Sequence, residues 1–158
     1  MQCHAIPLTA ELVSFVDRIY EQNRIALHGS IISIEEWHNA FSDDADPHEV
    51  NFIIIADNQP AAWLKLNGLN KEEPSISMLV VDDSFKRCGV GSFAVHFAGE
   101  YIKSLGKSSL FIYTTKDNEP AAQCYLKNGY KVAEEINYAV GDGIIRPGYK
   151  FKKDFTEP

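Results

Sequence analysis

The sequence predicts an α/β protein: one mixed, mostly antiparallel sheet with a central parallel strand–helix–strand unit and helices on both faces. Three observations predict it. The apolar run Ile76 to Val81 empties into a basic glycine loop, Lys86-Arg87-Cys88-Gly89-Val90-Gly91-Ser92, which opens an amphipathic helical stretch. A second apolar run, Ser109 to Thr115, follows that helix, and strand–helix–strand order of this kind makes a parallel, right-handed crossover. Ahead of the unit, Val50 to Ala56 and Ala61 to Leu66 read as strands joined by turn residues, which makes an antiparallel hairpin.

Thr9 is placed to cap a first helix, in which Leu12, Val13, Val16, Ile19 and Tyr20 recur at helical spacing, so this helix is expected to run to about Leu27 before Gly29. Ser33-Ile34-Glu35-Glu36 has the pattern of a capping box, which predicts a shorter helix through Trp37 and Phe41 and acidic loop from Ser42 to His48. Val50 to Ala56 is β-branched and aromatic, and Asp57-Asn58-Gln59-Pro60 is turn chemistry. After a polar loop with Gly68 and Pro74, Ile76 to Val81 is apolar on both faces, as a strand in the middle of a sheet must be.

Beyond the glycine loop, Val90, Ala94, Phe97, Ala98, Tyr101, Ile102 and Leu105 form a helical stripe, and Gly106 stands where a helix is expected to end. Ser109 to Thr115 is a buried strand, and Pro120 to Asn128 a short helix stopped by Gly129. Tyr130 to Tyr138 and Gly148 to Phe155 are two final strands around a loop containing Gly141-Asp142-Gly143.

With 45% hydrophobic residues, the 158 positions fit a single domain with a real core over 1–158. The net charge of -7 argues against a nucleic-acid surface, which needs a basic stripe, and leaves cationic small molecules as natural partners. Cys3, Cys88 and Cys124 are scattered, with neither a disulfide framework nor metal-ligand spacing, so no metal and a reduced, cytoplasmic setting are expected. No apolar stretch approaches the length of a membrane span, and Met1-Gln2-Cys3-His4-Ala5 lacks the pattern of a leader. A soluble, unprocessed protein without a membrane partner follows as the expectation.

The chemistry lies in the glycine loop. Backbone amides at the start of a helix, unobstructed by side chains and preceded by two cations, form a cradle for phosphate. Glycine also serves ordinary strand-to-helix corners, so context has to decide. A nucleotide-hydrolysing P-loop needs Gly-Lys-Ser/Thr, whereas here the loop ends Gly91-Ser92-Phe93. A dinucleotide fingerprint fits the spacing Gly89-Val90-Gly91-Ser92-Phe93-Ala94, yet the next strand offers no acidic residue until Asp117.

Leu79-Val80-Val81-Asp82-Asp83-Ser84-Phe85-Lys86-Arg87-Cys88-Gly89-Val90-Gly91 resembles the acetyl-coenzyme A loop of the GNAT superfamily of N-acetyltransferases, whose pattern is Arg/Gln-x-x-Gly-x-Gly/Ala after a hydrophobic strand. One position departs from it: Lys86 replaces the Arg/Gln, with Arg87 beside it. Asn118, Ala121-Ala122, Tyr125 and Gly129-Tyr130 resemble the second cofactor segment of the same family, and the order of elements from Thr9 to Phe155 fits its sheet.

The resemblance implies acetyl-coenzyme A as cosubstrate and a primary amine, on a small molecule or a peptide, as acceptor. Amides of Arg87, Cys88, Gly89, Val90, Gly91 and Ser92 would hold the pyrophosphate, with Lys86 and Arg87 adding charge. The strand Leu79-Val80-Val81 would pair with the pantetheine arm through main-chain groups of Leu79 and Val81, and an amide near Leu79 would act as the oxyanion hole. Asn118 either contacts the arm or caps its helix. Tyr125 is the implied general acid for the departing thiolate, its alternative being a half-buried helix aromatic.

No single general base stands out. Glu35, Glu36, His38, Glu72 and Glu73 are candidates, and a chain of waters is another route. Cys88 lacks a histidine at a spacing that would make it a nucleophile, and Cys124 reads as core packing. The acceptor pocket would be formed by about 24–48, 67–75 and 136–148, where no specificity signature is evident; the acidic balance favours a polyamine, an aminoglycoside or a lysine side chain. The resemblance leaves room for a homodimer. The alternatives to an enzyme of this kind are an acyl-coenzyme A sensor without turnover and a dinucleotide-binding oxidoreductase.

Overall fold

The structure is a computed structural model in which residues 1–29 and 45–155 are described. The expected helix through Trp37 and Phe41 and the candidate bases Glu35, Glu36 and His38 lie outside the described residues. Seven strands form one sheet: β1 (Cys3–Pro7), β2 (Val50–Ala56), β3 (Gln59–Asn67), β4 (Ser75–Val81), β5 (Ser109–Thr115), β6 (Lys131–Ala139) and β7 (Ile145–Asp154). Their order across the sheet is β1-β2-β3-β4-β5-β7-β6, and every neighbouring pair is antiparallel except β4 with β5. Three α-helices accompany it among the described residues: α1 (Val13–Asn23), α2 (Val90–Ser104) and α3 (Glu119–Lys127).

Alternation along the strands sorts the core into two layers. Ile53, Trp63 and Val80 point to one face, where Val16, Ile19 and Tyr20 of α1 cover them. Phe52, Leu64 and Leu66 point to the other, beneath Val95, Ala98 and Ile102 of α2. The stripe read from the sequence for α2 is therefore its inward side up to Ile102, whereas Leu105 lies just past the helix and is exposed; Gly106 at φ +81° ends the helix in the left-handed conformation that favours glycine.

β1 has no counterpart in the sequence reading. Five residues with histidine, alanine and a terminal proline carry little strand propensity of their own; the strand exists through its full antiparallel register with β2, Cys3 to Pro7 against Ala56 to Phe52. Thr9 does not cap α1: it precedes a short 3-10 turn at Ala10–Leu12, its side chain makes no capping bond, and α1 begins at Val13. Its regular part ends at Asn23, four residues before the expected end, although Leu27 N still donates to Asn23 O at 2.9 Å.

The β2–β3 hairpin turns on Asp57 and Asn58 alone, both at positive φ (48° and 68°), the geometry that matches the twist of paired strands. Gln59 and Pro60 belong to β3. Ile54 pairs with Ala62 and Ile55 with Pro60, so Ala61 bulges out and the proline sits where the ladder is already interrupted. β7 starts at Ile145, three residues earlier than read, and inserts between β5 and β6.

Two irregularities at β4 create the central feature of the fold. Met78 pairs with Lys65 and Ile76 with Leu66, which leaves Ser77 as a bulge with no residue opposite. On its other side β4 pairs with β5 only through Ser75–Phe111 and Ile76–Ile112, although both strands run on to Val81 and Thr115. The sheet splits at its middle. Beyond Ile76, the main-chain groups of β4 that face β5 have no ladder partner there.

Candidate active site

The split opens as a cleft of about 450 Å³. One wall is β4, with Ile76, Ser77 and Met78; the opposite wall is β5, with Tyr113, Thr114 and Thr115. Asn118 also lines it, Tyr20, Leu27 and Gly29 come from α1 and the turns after it, and Tyr138, Val140 and Gly141 come from the β6–β7 hairpin. A ligand site at the carboxyl ends of diverging strands is what an open α/β sheet offers.

At the same end of β4 the chain enters the glycine loop. Gly89 stands at the N-cap of α2 with φ +87° and Arg87 also has positive φ, at 62°, so the loop reverses direction just before the helix. The first bond of this turn is Phe93 N to Gly89 O at 3.0 Å, and no side chain caps the helix. The amides of Val90, Gly91 and Ser92 are therefore the unfilled donors of a helix start, at the positive end of its dipole. Gly91 has no positive φ; a Cβ there would lie 3.8 Å from Cys124 Sγ and 4.0 Å from Val81 Cγ2, between the end of β4 and α3. Both are ordinary contact distances, so neither the backbone nor these neighbours require glycine here.

The two cations of the loop part company. Lys86 turns back onto α1: its Nζ donates to Asn23 Oδ1 at 2.7 Å and pairs with Asp83 at 2.8 Å. Arg87 is exposed and makes no ion pair among the described residues. Around Lys86 the end of β4 is clamped to α1. Asp82, buried, takes Arg18 Nη2 at 2.8 Å and the Ser84 amide at 3.0 Å, and Asn23 Nδ2 donates to Ile19 O at 2.8 Å and to Val81 O at 3.4 Å. Burial pushes the Asp82 carboxyl up, but Arg18 and Ser84 outweigh it and hold the group below its ordinary value.

Leu79 and Val81 face the α2 side of the sheet while Val80 faces α1. Ser92 Oγ accepts from Asn128 Nδ2 at 3.1 Å, which ties the first turn of α2 to the end of α3. Cys88 is exposed, its Sγ 3.5 Å from Lys86 O, and Cys124 is half-buried, its thiol pushed up by burial. Asn118 occupies the N-cap position of α3, yet its side chain makes no capping bond and borders the cleft.

Tyr125 is buried rather than half-buried. Its ring packs at 5.5 Å from Phe151 and 6.3 Å from Tyr130, and burial, with the neighbouring Cys124, raises its phenol well above the usual value. Tyr130, the aromatic that follows Gly129, carries a buried hydroxyl with no hydrogen-bond partner among the described residues. A second phenol, Tyr138, stands in the cleft wall itself, pushed up to about 12 by burial and then by the charge of Asp117. The sequence reading singled out none of Tyr138, Tyr113 and Tyr20 as a site residue, although Tyr138 lies within its expected acceptor segment 136–148; the alternation of β6 puts Tyr138 and Ile136 on the same, less exposed side.

Asp117, the acidic residue after β5, is engaged locally. The Thr115 hydroxyl is the main cause holding its carboxyl low, and His28 Nε2 lies 3.0 Å away. Of the candidate bases, Glu73 pairs with Lys150 at 2.9 Å and Glu72 is exposed. Glu73 lines a second cavity, of about 350 Å³, that meets the cleft at Asn67, Ser75 and Tyr113. Among the described residues no cluster of three metal-ligating side chains occurs, and no helix is long and apolar enough to cross a membrane.

Residues 14–130 match the Acetyltransferase (GNAT) family. The chain belongs to that family. Solved structures share the GNAT fold over almost the whole chain. An N-acetyltransferase from Staphylococcus aureus Mu50 is 16% identical with a TM-score of 0.83, covering 99% of this chain and 100% of its own. The spermidine N-acetyltransferase of Vibrio cholerae, solved with CoA and spermine, is 13% identical with a TM-score of 0.79, covering 96% and 94%. The PaiA N-acetyltransferase of Thermoplasma acidophilum, solved with coenzyme A, is 16% identical with a TM-score of 0.71, covering 98% and 100%. At these identities the likeness is one of fold. A search of curated protein sequences gave no match.

Proposed function

We propose that this GNAT-family chain is an acetyl-coenzyme A-dependent N-acetyltransferase that moves an acetyl group to a primary amine. The observation that carries the reading is the parting of β4 from β5 after Ile76, beside a bulge at Ser77 and at the end of β4 that leads into an uncapped helix start. A free strand edge suits an extended arm bearing amides, and unfilled helix amides suit a pyrophosphate. Coenzyme A has both, and relatives of the same fold were solved with it.

Acetyl-coenzyme A, when bound, supplies an acetyl carbon activated as a thioester. The amides of Val90, Gly91 and Ser92, with Arg87, which has no ion-pair partner among the described residues, would hold its pyrophosphate. Main-chain groups of β4 beyond the bulge, at Leu79 and Val81, would align the arm, and the Asn118 amide would border it. A backbone N–H of this irregular stretch is fixed before reaction and would stabilise charge on the acetyl oxygen. Burial raises the Tyr125 phenol, which keeps it protonated at any working pH but makes it a weaker acid, so it would act by hydrogen-bonding to the departing thiolate as charge develops there. Lys86 contributes by fastening the loop to α1 and not by direct charge.

The test is release of free thiol from acetyl-coenzyme A against a panel of primary amines, together with heat of binding of acetyl-coenzyme A. Binding with amine-dependent thiol release is expected. Binding without turnover on any amine would return the chain to a sensor, and no binding would end the reading.

A further inference from the structure

We propose that the acceptor is a primary amine on an apolar, aromatic body, an arylalkylamine in chemical class, and not a polycation. The inference deepens the acetyltransferase reading and rests on it. It starts from two glycines. A Cβ at Gly148 of β7 would collide with the ring of Tyr138 and with Thr114 O, and a Cβ at Gly29 would collide with the hydroxyl of Tyr20. Each tyrosine lies over bare backbone, which lets its ring turn along the cleft wall. Tyr138 is further set by Tyr113, whose ring centroid is 6.2 Å away at 56°.

Three phenol rings from three separate elements thus border one cleft, and Leu27, Met78 and Val140 fill the surface between them. Among the described residues no charged side chain lines this space. The described carboxylates near the cleft are engaged outside it: Asp117 with Thr115 and His28 and, in the adjoining cavity, Glu49 with Lys65 at 3.3 Å, Glu73 with Lys150 at 2.9 Å, and Asp46 Oδ1 with the His48 amide at 2.8 Å. Against the described lining, each further ammonium of a polyamine would lose its water without a carboxylate to replace it, which is costly. An aryl group loses nothing by the same transfer and meets ring edges and faces. The single amine that must reach the thioester is accommodated by ring faces at the entrance and by main-chain carbonyls. The volume of about 450 Å³ is ample for a ring and a two-carbon arm.

The probes are phenethylamine and spermidine, with acetyl-coenzyme A binding measured separately by calorimetry. Phenethylamine is expected to exceed spermidine in kcat/KM by about tenfold or more. It is also expected to bind the protein directly, in the presence of coenzyme A. Tyr138→Ala should raise the KM for phenethylamine about tenfold, while Tyr138→Phe, which keeps the ring, should stay within about twofold. The KM for acetyl-coenzyme A should not move in either variant. Should Tyr138→Ala fail to fold, Tyr113→Leu, beside Tyr138 on the β5 wall, removes an aromatic face at an exposed position and should raise the same KM. A protein that binds acetyl-coenzyme A but prefers spermidine, or whose phenethylamine KM ignores loss of these rings, overturns this inference alone. A protein that binds no acetyl-coenzyme A overturns the acetyltransferase reading and this inference with it.

Discussion

Replacing Gly91 with alanine puts a single methyl group into the gap between the end of β4 and α3. Its neighbours there, Cys124 Sγ at 3.8 Å and Val81 Cγ2 at 4.0 Å, are at ordinary contact distance, and the position has no positive φ. Neither crowding nor backbone strain therefore opposes the change. Alanine for glycine within a helix gains up to about 1 kcal/mol, so the melting temperature of the free protein should stay level or rise by about 2–4 °C. Valine would add two further methyls to a filled space at a cost of about 1–3 kcal/mol and would confuse the two effects. Saturation with acetyl-coenzyme A at 100 times its dissociation constant stabilises by about 2.7 kcal/mol, or about 5–10 °C for a chain of this size. If the methyl intrudes on the pyrophosphate and weakens binding tenfold, the same concentration yields only about 1.4 kcal/mol, half the shift. The assay is a thermal melt of both proteins over a titration of acetyl-coenzyme A. A Gly91→Ala protein with the full wild-type shift at every concentration would refute the cradle and leave the glycine as a packing residue.

Tyr125→Phe should lower kcat by about 10²-fold or more if protonation of the thiolate is slow, and Tyr138→Phe should leave kcat within a few-fold; the reverse order in single-turnover rates would move the donor to the cleft wall. Arg87→Gln should weaken acetyl-coenzyme A about tenfold, with a smaller loss at high salt, whereas Lys86→Gln should act on thermal stability because its amine is bonded to Asn23 and Asp83; equal effects of the two on binding would contradict their separate placements. Asp82 is held below its unfolded value of about 3.9, so its stabilisation is present above that pH and is lost as pH falls through the folded value. Asp82→Asn should accordingly cost about 1–3 kcal/mol in urea melts at pH 7 and much less near pH 3, and a difference that is constant with pH would remove the ion pair as its cause.

Features encoded within a few residues were legible. The period of α2, the turn residues at Asp57-Asn58, the glycine after each of α2 and α3, and β5 from Ser109 to Thr115 follow from local sterics and hydrophobic spacing. The same holds for the glycine loop, because bare amides before an apolar helix need no distant partner to be recognised. β1 was not legible, since its strand state comes from β2, some fifty residues later.

The cleft belongs to the same non-local class. Its opening depends on a ladder that stops after two pairs and on a bulge set by the register of β3 against β4, neither of which has a local pattern. Lys86 and Arg87 are adjacent and alike in charge, and only the approach of Asn23 from α1 assigns Lys86 to structure, while Arg87 makes no ion pair among the described residues. Tyr20, Tyr113 and Tyr138 lie far apart along the chain, and Gly29 and Gly148 carry no motif; they meet because β7 inserts between β5 and β6 and α1 covers one face. Side-chain period and turn chemistry act over a turn or a strand, whereas strand order, register and cleft shape are settled by long-range pairing.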